Sequence, residues 1–123
     1  MIYLWVGLGG ASGAMARVGL MRFFPASFLS VPLRILLINV IGCFLIGAIA
    51  EAFTIYGNPS MGIRHFVITG FLGGFTTFSS FALDFGVLCE KGYYGSGIVY
   101  ILLSVGLGIA FFFVGLTGVR ILR

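Results

Sequence analysis

The segment "GGFTTFSSF", residues 73–81, combines hydroxyl groups and aromatic rings inside one of the most apolar stretches of the sequence. Hydroxyls donate hydrogen bonds, and the edge of a phenyl ring is electropositive. Together they can surround a small anion without a full positive charge. A fixed charge would trap the ion, whereas conduction requires sites weak enough to release it. The segment therefore predicts a path for small anions.

Polar residues also occur in two other apolar stretches. Asn39 lies near the middle of "LRILLINVIGCFLIGAIAEAF", and its amide can donate and accept hydrogen bonds. It could join two helices, as buried amides in membranes do, or it could donate to an anion. Tyr100 and Ser104 are four residues apart and share a helix face. They could extend the polar path, or Ser104 and Gly108 could form a seam of small residues.

Adjacent glycines in the same segment predict an interrupted helix. Gly73 and Gly74 each lower helix propensity by about 1 kcal/mol relative to alanine. In transporters, helices broken at mid-membrane expose backbone carbonyls that can hold a cation. We expect the carbonyls of Gly73 and Thr76 to lie at the tip of such a break.

The composition determines which elements must position these groups. The chain of 123 residues is 60% hydrophobic and 8% charged, with a mean hydropathy of +1.20, whereas soluble proteins carry about 25% charged residues. A soluble domain of this size could not bury so much apolar surface. Backbone groups cannot stay unpaired in a lipid bilayer, so the spans must be helices. The sequence predicts an all-α integral membrane protein, and it has no basic, aromatic patch suited to nucleic acid.

Four stretches are long enough to form transmembrane helices within a single membrane domain of residues 1–123. They comprise residues 2–21, 33–53, 66–88 and 97–119, since a spanning helix needs roughly 20 apolar residues. A segment with the proline or glycine residues typical of turns precedes each of the last three. We expect the third helix to be broken near mid-membrane, and both termini to lie on one side.

The basic residues give no clear orientation by the positive-inside rule. Because neither side has an excess, the chain could insert both ways and form an antiparallel homodimer with dual topology. Four helices enclose little space, which also favours an oligomer. Arg17 could extend to the interface or line an anion vestibule. The remaining basic residues are Arg64, Arg120 and Arg123 on the side of the termini, and Arg22, Arg34 and Lys91 on the other.

Small residues in the first span predict close packing of helices. Gly9 and Gly13 form a GxxxG pair, which allows another helix to approach closely. Cys43 and Cys89 lie in or beside apolar spans without disulfide or metal-ligand spacing. We interpret both as buried apolar residues.

Three motifs in the chain carry a resemblance to a known family. "GGASGAMARVGL", "NVIGCFLIG" and "TGFLGGFTTFSSFALD" resemble the Fluc (CrcB) family of fluoride channels, and the match extends over essentially the whole chain. The resemblance implies an antiparallel, dual-topology homodimer with two fluoride pores and a central structural sodium ion at the dimer interface. It also implies passive export of fluoride across the cell inner membrane.

The resemblance also implies roles for individual residues. The sodium carbonyls correspond to Gly73 and Thr76, the fluoride-contacting aromatic pair to Phe78 and Phe81, and the asparagine of the second span to Asn39. The polar track would comprise Thr77 or Ser80 with Tyr100 and Ser104, and the vestibule positions correspond to Arg17 and Asp84.

The sequence departs from the family pattern at two positions. Ile35 stands where many relatives have threonine, and Gly108 where some have serine. Both departures reduce the number of hydroxyls along the polar track.

Three other classes of protein are less consistent with the sequence. A small multidrug-resistance type proton-coupled exporter needs a carboxylate in the first helix, but this first helix has none and Glu51 lies near the end of the second. A non-transporting membrane scaffold would explain the glycines, but not the concentrated hydroxyls. An enzyme would need a nucleophile with a base, or metal ligands. Neither Ser79 nor Ser80 has a buried histidine or lysine available, so we expect no enzymatic activity.

Overall fold

The computed structural model describes residues 1–122, which are mostly helical. The elements that concern the site are four helices, a π-helical segment and two short helical turns. They are α1 (Ile2–Met21), α2 (Leu33–Tyr56), α3 (Met61–Arg64), the π-helical segment (His65–Leu72), α4 (Gly73–Phe75), α5 (Phe78–Glu90) and α6 (Tyr94–Leu122).

Three helical stretches are long and apolar enough to cross a membrane: Leu33–Tyr56, Met61–Glu90 and Tyr94–Leu122. The chain is therefore an all-α membrane protein, as its composition predicts. Helix α1 has the predicted bounds, but its glycines and Arg17 make it less apolar than the other three. Its role as a fourth transmembrane span stays a prediction.

The turns that limit the helices use glycine where the backbone requires it. Helix α2 continues to Tyr56, about one turn beyond its predicted end, and stops at Gly57, which has φ 101°. Gly92, with φ 81°, lies in the turn between α5 and α6. Glycine adopts these positive φ values without the steric cost that a side chain brings.

Glycines bring α1 into direct contact with the third helical stretch. A Cβ at Gly13 would collide with the carbonyl oxygen of Phe71, and a Cβ at Gly9 would collide with the backbone of the π-helical segment. In the third helical stretch, a Cβ at Gly74 would likewise lie 2.5 Å from the carbonyl oxygen of Gly10 in α1. This confirms the close packing predicted from the GxxxG pair. It also gives Gly74 a packing role besides its low helix propensity.

Helices α2 and α6 form a second close pair by the same means. A Cβ at Gly47 or at Gly115 would collide with the backbone of the other helix. Near the end of this pair, Nη2 of Arg120 donates a hydrogen bond to Oε2 of Glu51 at 2.7 Å, and Glu51 is only 7% exposed. This ion pair was not predicted. It compensates the charge of a carboxylate that is almost fully buried near the end of α2.

The third helical stretch is broken where the glycine and threonine residues predict. Helix α4 ends at Phe75, and α5 begins at Phe78. Thr76 (φ −85°, ψ 159°) and Thr77 (φ −150°, ψ 120°) between them are extended. The break also divides the phenylalanines of this stretch into two groups. Before the break, the Phe75 ring stacks on that of Phe71, and after it the Phe78 ring packs against that of Phe81.

A short antiparallel hairpin between α1 and α2 was not predicted. Ser27–Phe28 pairs with Val31–Pro32, and the turn places Leu29 and Ser30 at φ 52° and 68°. Both φ values lie in the left-handed region that side chains disfavour, so the turn lacks the usual glycine or asparagine signal. The Leu29 carbonyl accepts a hydrogen bond from the Ser96 hydroxyl at 3.4 Å, which ties the turn to α6.

Candidate functional site

The amide of Asn39 makes two hydrogen bonds to the backbone at the helix break. Its Nδ2 donates to the carbonyl oxygen of Thr77 at 3.0 Å, and its Oδ1 accepts from the Thr77 N–H at 2.8 Å. One side chain of α2 therefore pairs with both polar groups of a residue that has left the helix. The geometry supports the interpretation of Asn39 as a link between helices, and it leaves one Nδ2 hydrogen for another acceptor.

The side chains of Thr76 and Thr77 also form hydrogen bonds with the backbone on either side of the break. The N–H and the hydroxyl of Thr76 both donate to the carbonyl oxygen of Leu72, at 3.0 and 2.9 Å. The Thr77 hydroxyl accepts from the N–H of Ser80 at 3.2 Å and caps α5. The threonine hydroxyls that were candidates for an anion path therefore already form hydrogen bonds that stabilise the break.

The carbonyl oxygens at the break differ from the hydroxyls in their hydrogen bonding. Within residues 1–122, no hydrogen bond is donated to the carbonyl oxygen of Gly73 or of Thr76. The same part of the chain has no group of three or more His, Cys, Asp or Glu side chains able to hold a metal ion. Free carbonyl oxygens suit a hard cation, so these two residues could hold sodium.

A groove of about 410 Å³ lies along the break, on the α2 side. None of the residues that line it, all within the described chain, has an ionisable carboxylate, ammonium or guanidinium group. Ser104 contributes a buried hydroxyl without a partner among the described residues. The lining consists of Asn39, Gly42, Cys43, Ile46, Ile68, Leu72, Gly73, Thr76, Thr77, Phe78, Phe81, Ser104 and Val105.

Aromatic rings lead from this groove into the interior of the helical bundle. The centroids of Phe78 and Phe81 are 5.5 Å apart, and those of Phe81 and Tyr100 are 5.0 Å apart. Tyr100 is fully buried, and its hydroxyl donates to Oδ2 of Asp84 at 3.1 Å. The row of rings therefore ends at a carboxylate.

Asp84 also lines a second cavity, of about 270 Å³, together with Lys91 and Tyr93. The hairpin contributes Ser27 and Ser30 to the same cavity. Asp84, in the middle of α5, and Lys91, which follows this helix, thus bring an acid and a base to one cavity, and the resemblance places Asp84 in a vestibule. No sequence pattern predicted the contribution of the hairpin.

The structure brings together most, but not all, of the predicted site residues. Ser80 and Tyr100 do not line the groove, and Tyr100 reaches it only through Phe81. Arg17 lines neither cavity, and its buried Nε has no partner within the described residues. The groove contains seven predicted positions, namely Asn39, Gly73, Thr76, Thr77, Phe78, Phe81 and Ser104.

Six residues of the groove were not predicted as site residues: the apolar Ile46, Ile68, Leu72 and Val105, and the small Gly42 and Cys43. Gly42 and Cys43 follow Asn39 by about one helical turn, and this spacing is the signal that could have identified them. A Cβ at Gly108 would lie 3.4 Å from the Cys43 sulfur. Ile35 is buried, with 6% exposure. Ile35 and Gly108, the two residues that depart from the family pattern, are therefore both buried in the packed interior.

Comparison with known proteins agrees with these features. The model of the family described as CrcB-like protein, Camphor Resistance (CrcB), matches residues 4–116. A protein of Rhizobium etli is 46% identical over 123 residues, covering 97% of this chain and 96% of its own length. One from Cereibacter sphaeroides is 44% identical over 121 residues, covering 95% and 93%. One from Rhodopseudomonas palustris is 43% identical over 124 residues, covering 98% of each.

All three relatives carry the name fluoride-specific ion channel FluC. The family match covers every residue that lines the groove, including the break between α4 and α5. The chain therefore belongs to the CrcB family, which is a family of ion channels and not of enzymes.

Proposed function

We propose that this chain is a fluoride-selective channel that exports fluoride passively through the cell inner membrane and so lowers its cytoplasmic concentration. The observation that carries the proposal is the 46% identity to a relative named as a fluoride-specific channel, over 97% of this chain. The groove at the helix break supports it, because this groove combines neutral hydrogen-bond donors with aromatic rings.

The chemistry of the groove suits a small, strongly hydrated anion. Such an ion crosses an apolar region only where donors replace its water. Ser104 provides a hydroxyl without a partner among residues 1–122, and Asn39 keeps one amide hydrogen. The edges of Phe78 and Phe81 provide further electropositive C–H groups. These donors solvate the ion, but none carries the charge that would hold it permanently.

We further propose that two chains form an antiparallel homodimer with two pores, in which α1 is the fourth span. Phe78 is 79% exposed in a single chain although it lines the groove. A second chain would cover this ring and close the open side of the groove. The balanced basic residues on the two sides allow both orientations in one membrane.

A sodium ion at the dimer interface completes the proposal. The carbonyl oxygens of Gly73 and Thr76 would hold it, since they accept no hydrogen bond within residues 1–122. The two-fold axis of a dimer would supply the same pair from the second chain. The ion would then compensate the free carbonyl dipoles at both breaks.

Purified protein in liposomes tests the ion that passes. We expect liposomes loaded with fluoride to release it when a potassium ionophore removes the charge imbalance, whereas liposomes loaded with chloride retain their anion. An ion-selective electrode measures both. Release of chloride at the same rate as fluoride would contradict fluoride selectivity, and release of neither would contradict channel function.

Labelling of an engineered cysteine tests dual topology. With Cys43 and Cys89 replaced by serine, we expect a cysteine added at the N-terminus to react with an impermeant maleimide from both faces of the membrane. About half of the chains should react from each side, because neither side has a charge excess. Labelling from one face alone would rule out the antiparallel arrangement.

Replacement of Phe78 or Phe81 by isoleucine tests the role of the ring edges. Isoleucine keeps much of the apolar volume but has no quadrupole, so we expect fluoride efflux to fall by about tenfold, equivalent to about 1.4 kcal/mol. Phe113→Ile, at a ring of α6 that is 55% exposed, is the matched control and should leave efflux unchanged. Normal efflux from both Phe78→Ile and Phe81→Ile in correctly assembled protein would show that the rings only pack.

The substitution Thr76→Ala tests cation binding by the backbone. The Thr76 hydroxyl already donates to Leu72, so its removal should cost about 1 kcal/mol of stability and leave the carbonyl in place. We expect sodium to raise the melting temperature of Thr76→Ala as it does for the wild type and for the exposed control Thr69→Ala. Loss of the sodium effect in Thr76→Ala alone would indicate side-chain ligation.

A further inference from the structure

Gly42 faces the helix break one turn after Asn39 on α2. A Cβ at this position would collide with the Cγ2 methyl group of Thr76. The next nearest atoms are Cδ2 of Phe75 at 3.6 Å and Cβ of Thr76 at 3.7 Å, which are ordinary van der Waals distances. A single methyl group of Thr76 therefore determines whether position 42 can carry a side chain.

The Thr76 methyl group cannot turn away from α2 without a further loss. Cγ2 and Oγ1 are attached to the same carbon, so rotation about χ1 moves both. The present rotamer lets Oγ1 donate to the Leu72 carbonyl oxygen at 2.9 Å. Rotation would break this hydrogen bond in an apolar environment, where an unpaired hydroxyl is unfavourable.

We propose that Gly42 is a positioning residue, and that Gly42 and Asn39 together form a cradle on α2 that fixes both residues of the break. Gly42 receives the methyl group of Thr76, and Asn39 binds the backbone N–H and C=O of Thr77. The inference rests on the proposed channel function. Within it, the cradle links the Thr76 carbonyl to the wall of the fluoride path.

This assignment follows from the location of all four residues in the same groove. Asn39, Gly42, Thr76 and Thr77 all line it, so a displacement of Thr76 changes both the groove and the start of α5. A side chain at position 42 would push the break away from α2 and lengthen the bonds between Asn39 and Thr77. Alanine in place of a glycine that has free space around it elsewhere in the bundle should not have this effect.

A double-mutant cycle tests the cradle. We expect Gly42→Ala to lower fluoride efflux from liposomes by at least about tenfold, because added volume in a well-packed site forces a backbone shift. Thr76→Ser removes only the methyl group and keeps the hydroxyl and the carbonyl, so its own efflux is the reference for the double variant. The combination Gly42→Ala/Thr76→Ser should recover efflux to within about threefold of Thr76→Ser alone. Gly106→Ala, where a Cβ would meet none of the described residues within 4 Å, is the control.

The outcomes separate the cradle from the channel function. Normal efflux from Gly42→Ala would overturn the proposal, as would a double variant no better than Gly42→Ala. If Gly42→Ala fails to assemble, size-exclusion chromatography and melting temperature give the same test, since Thr76→Ser must then restore assembly. If the wild type does not conduct fluoride, the proposed function fails. In that case, recovery of the melting temperature in the double variant would still support the cradle, and no recovery would overturn it.

Discussion

The two hydrogen bonds between Asn39 and the backbone N–H and C=O of Thr77 make the broken helix compatible with a membrane. A break in a helix leaves backbone N–H and C=O groups without partners, and each unpaired group is costly in an apolar medium. The asparagine amide has the same donor and acceptor pattern as a peptide group, so it satisfies both groups of Thr77 at once. The interruption can then persist without water, and it leaves the carbonyls of Gly73 and Thr76 available.

The rest of the bundle places Asn39 opposite the break. Glycine contacts hold α2 against α6 and α1 against the third helical stretch, so backbones lie in direct contact within each pair. Gly74 belongs to the contact with α1, and Gly42 receives Thr76 from the α2 side. The break is therefore held between two helices. Its position in turn directs Phe78 into the groove and Phe81 towards Tyr100.

Much of this arrangement follows from local sequence patterns. Hydropathy predicts the long helices, and the glycine and threonine residues at 73–77 predict the break, because both signals depend on neighbouring residues. The pairing of Asn39 with Thr77 depends on residues 38 positions apart, so the sequence left its role open between a link and an ion contact. The ion pair of Glu51 with Arg120 was missed for the same reason. The hairpin was missed because Leu29 and Ser30 are not residues that favour positive φ.

The exchange rate of the Thr77 backbone amide tests the central interaction most directly, because Oδ1 of Asn39 is its hydrogen-bond acceptor. Hydrogen–deuterium exchange read by NMR would compare the wild type with Asn39→Ala, with amides in the middle of α6 as an internal reference. We expect a protected Thr77 amide that exchanges at least about tenfold faster in Asn39→Ala, while exchange of the α6 amides stays unchanged. Equal exchange of the Thr77 amide in both proteins would contradict this expectation.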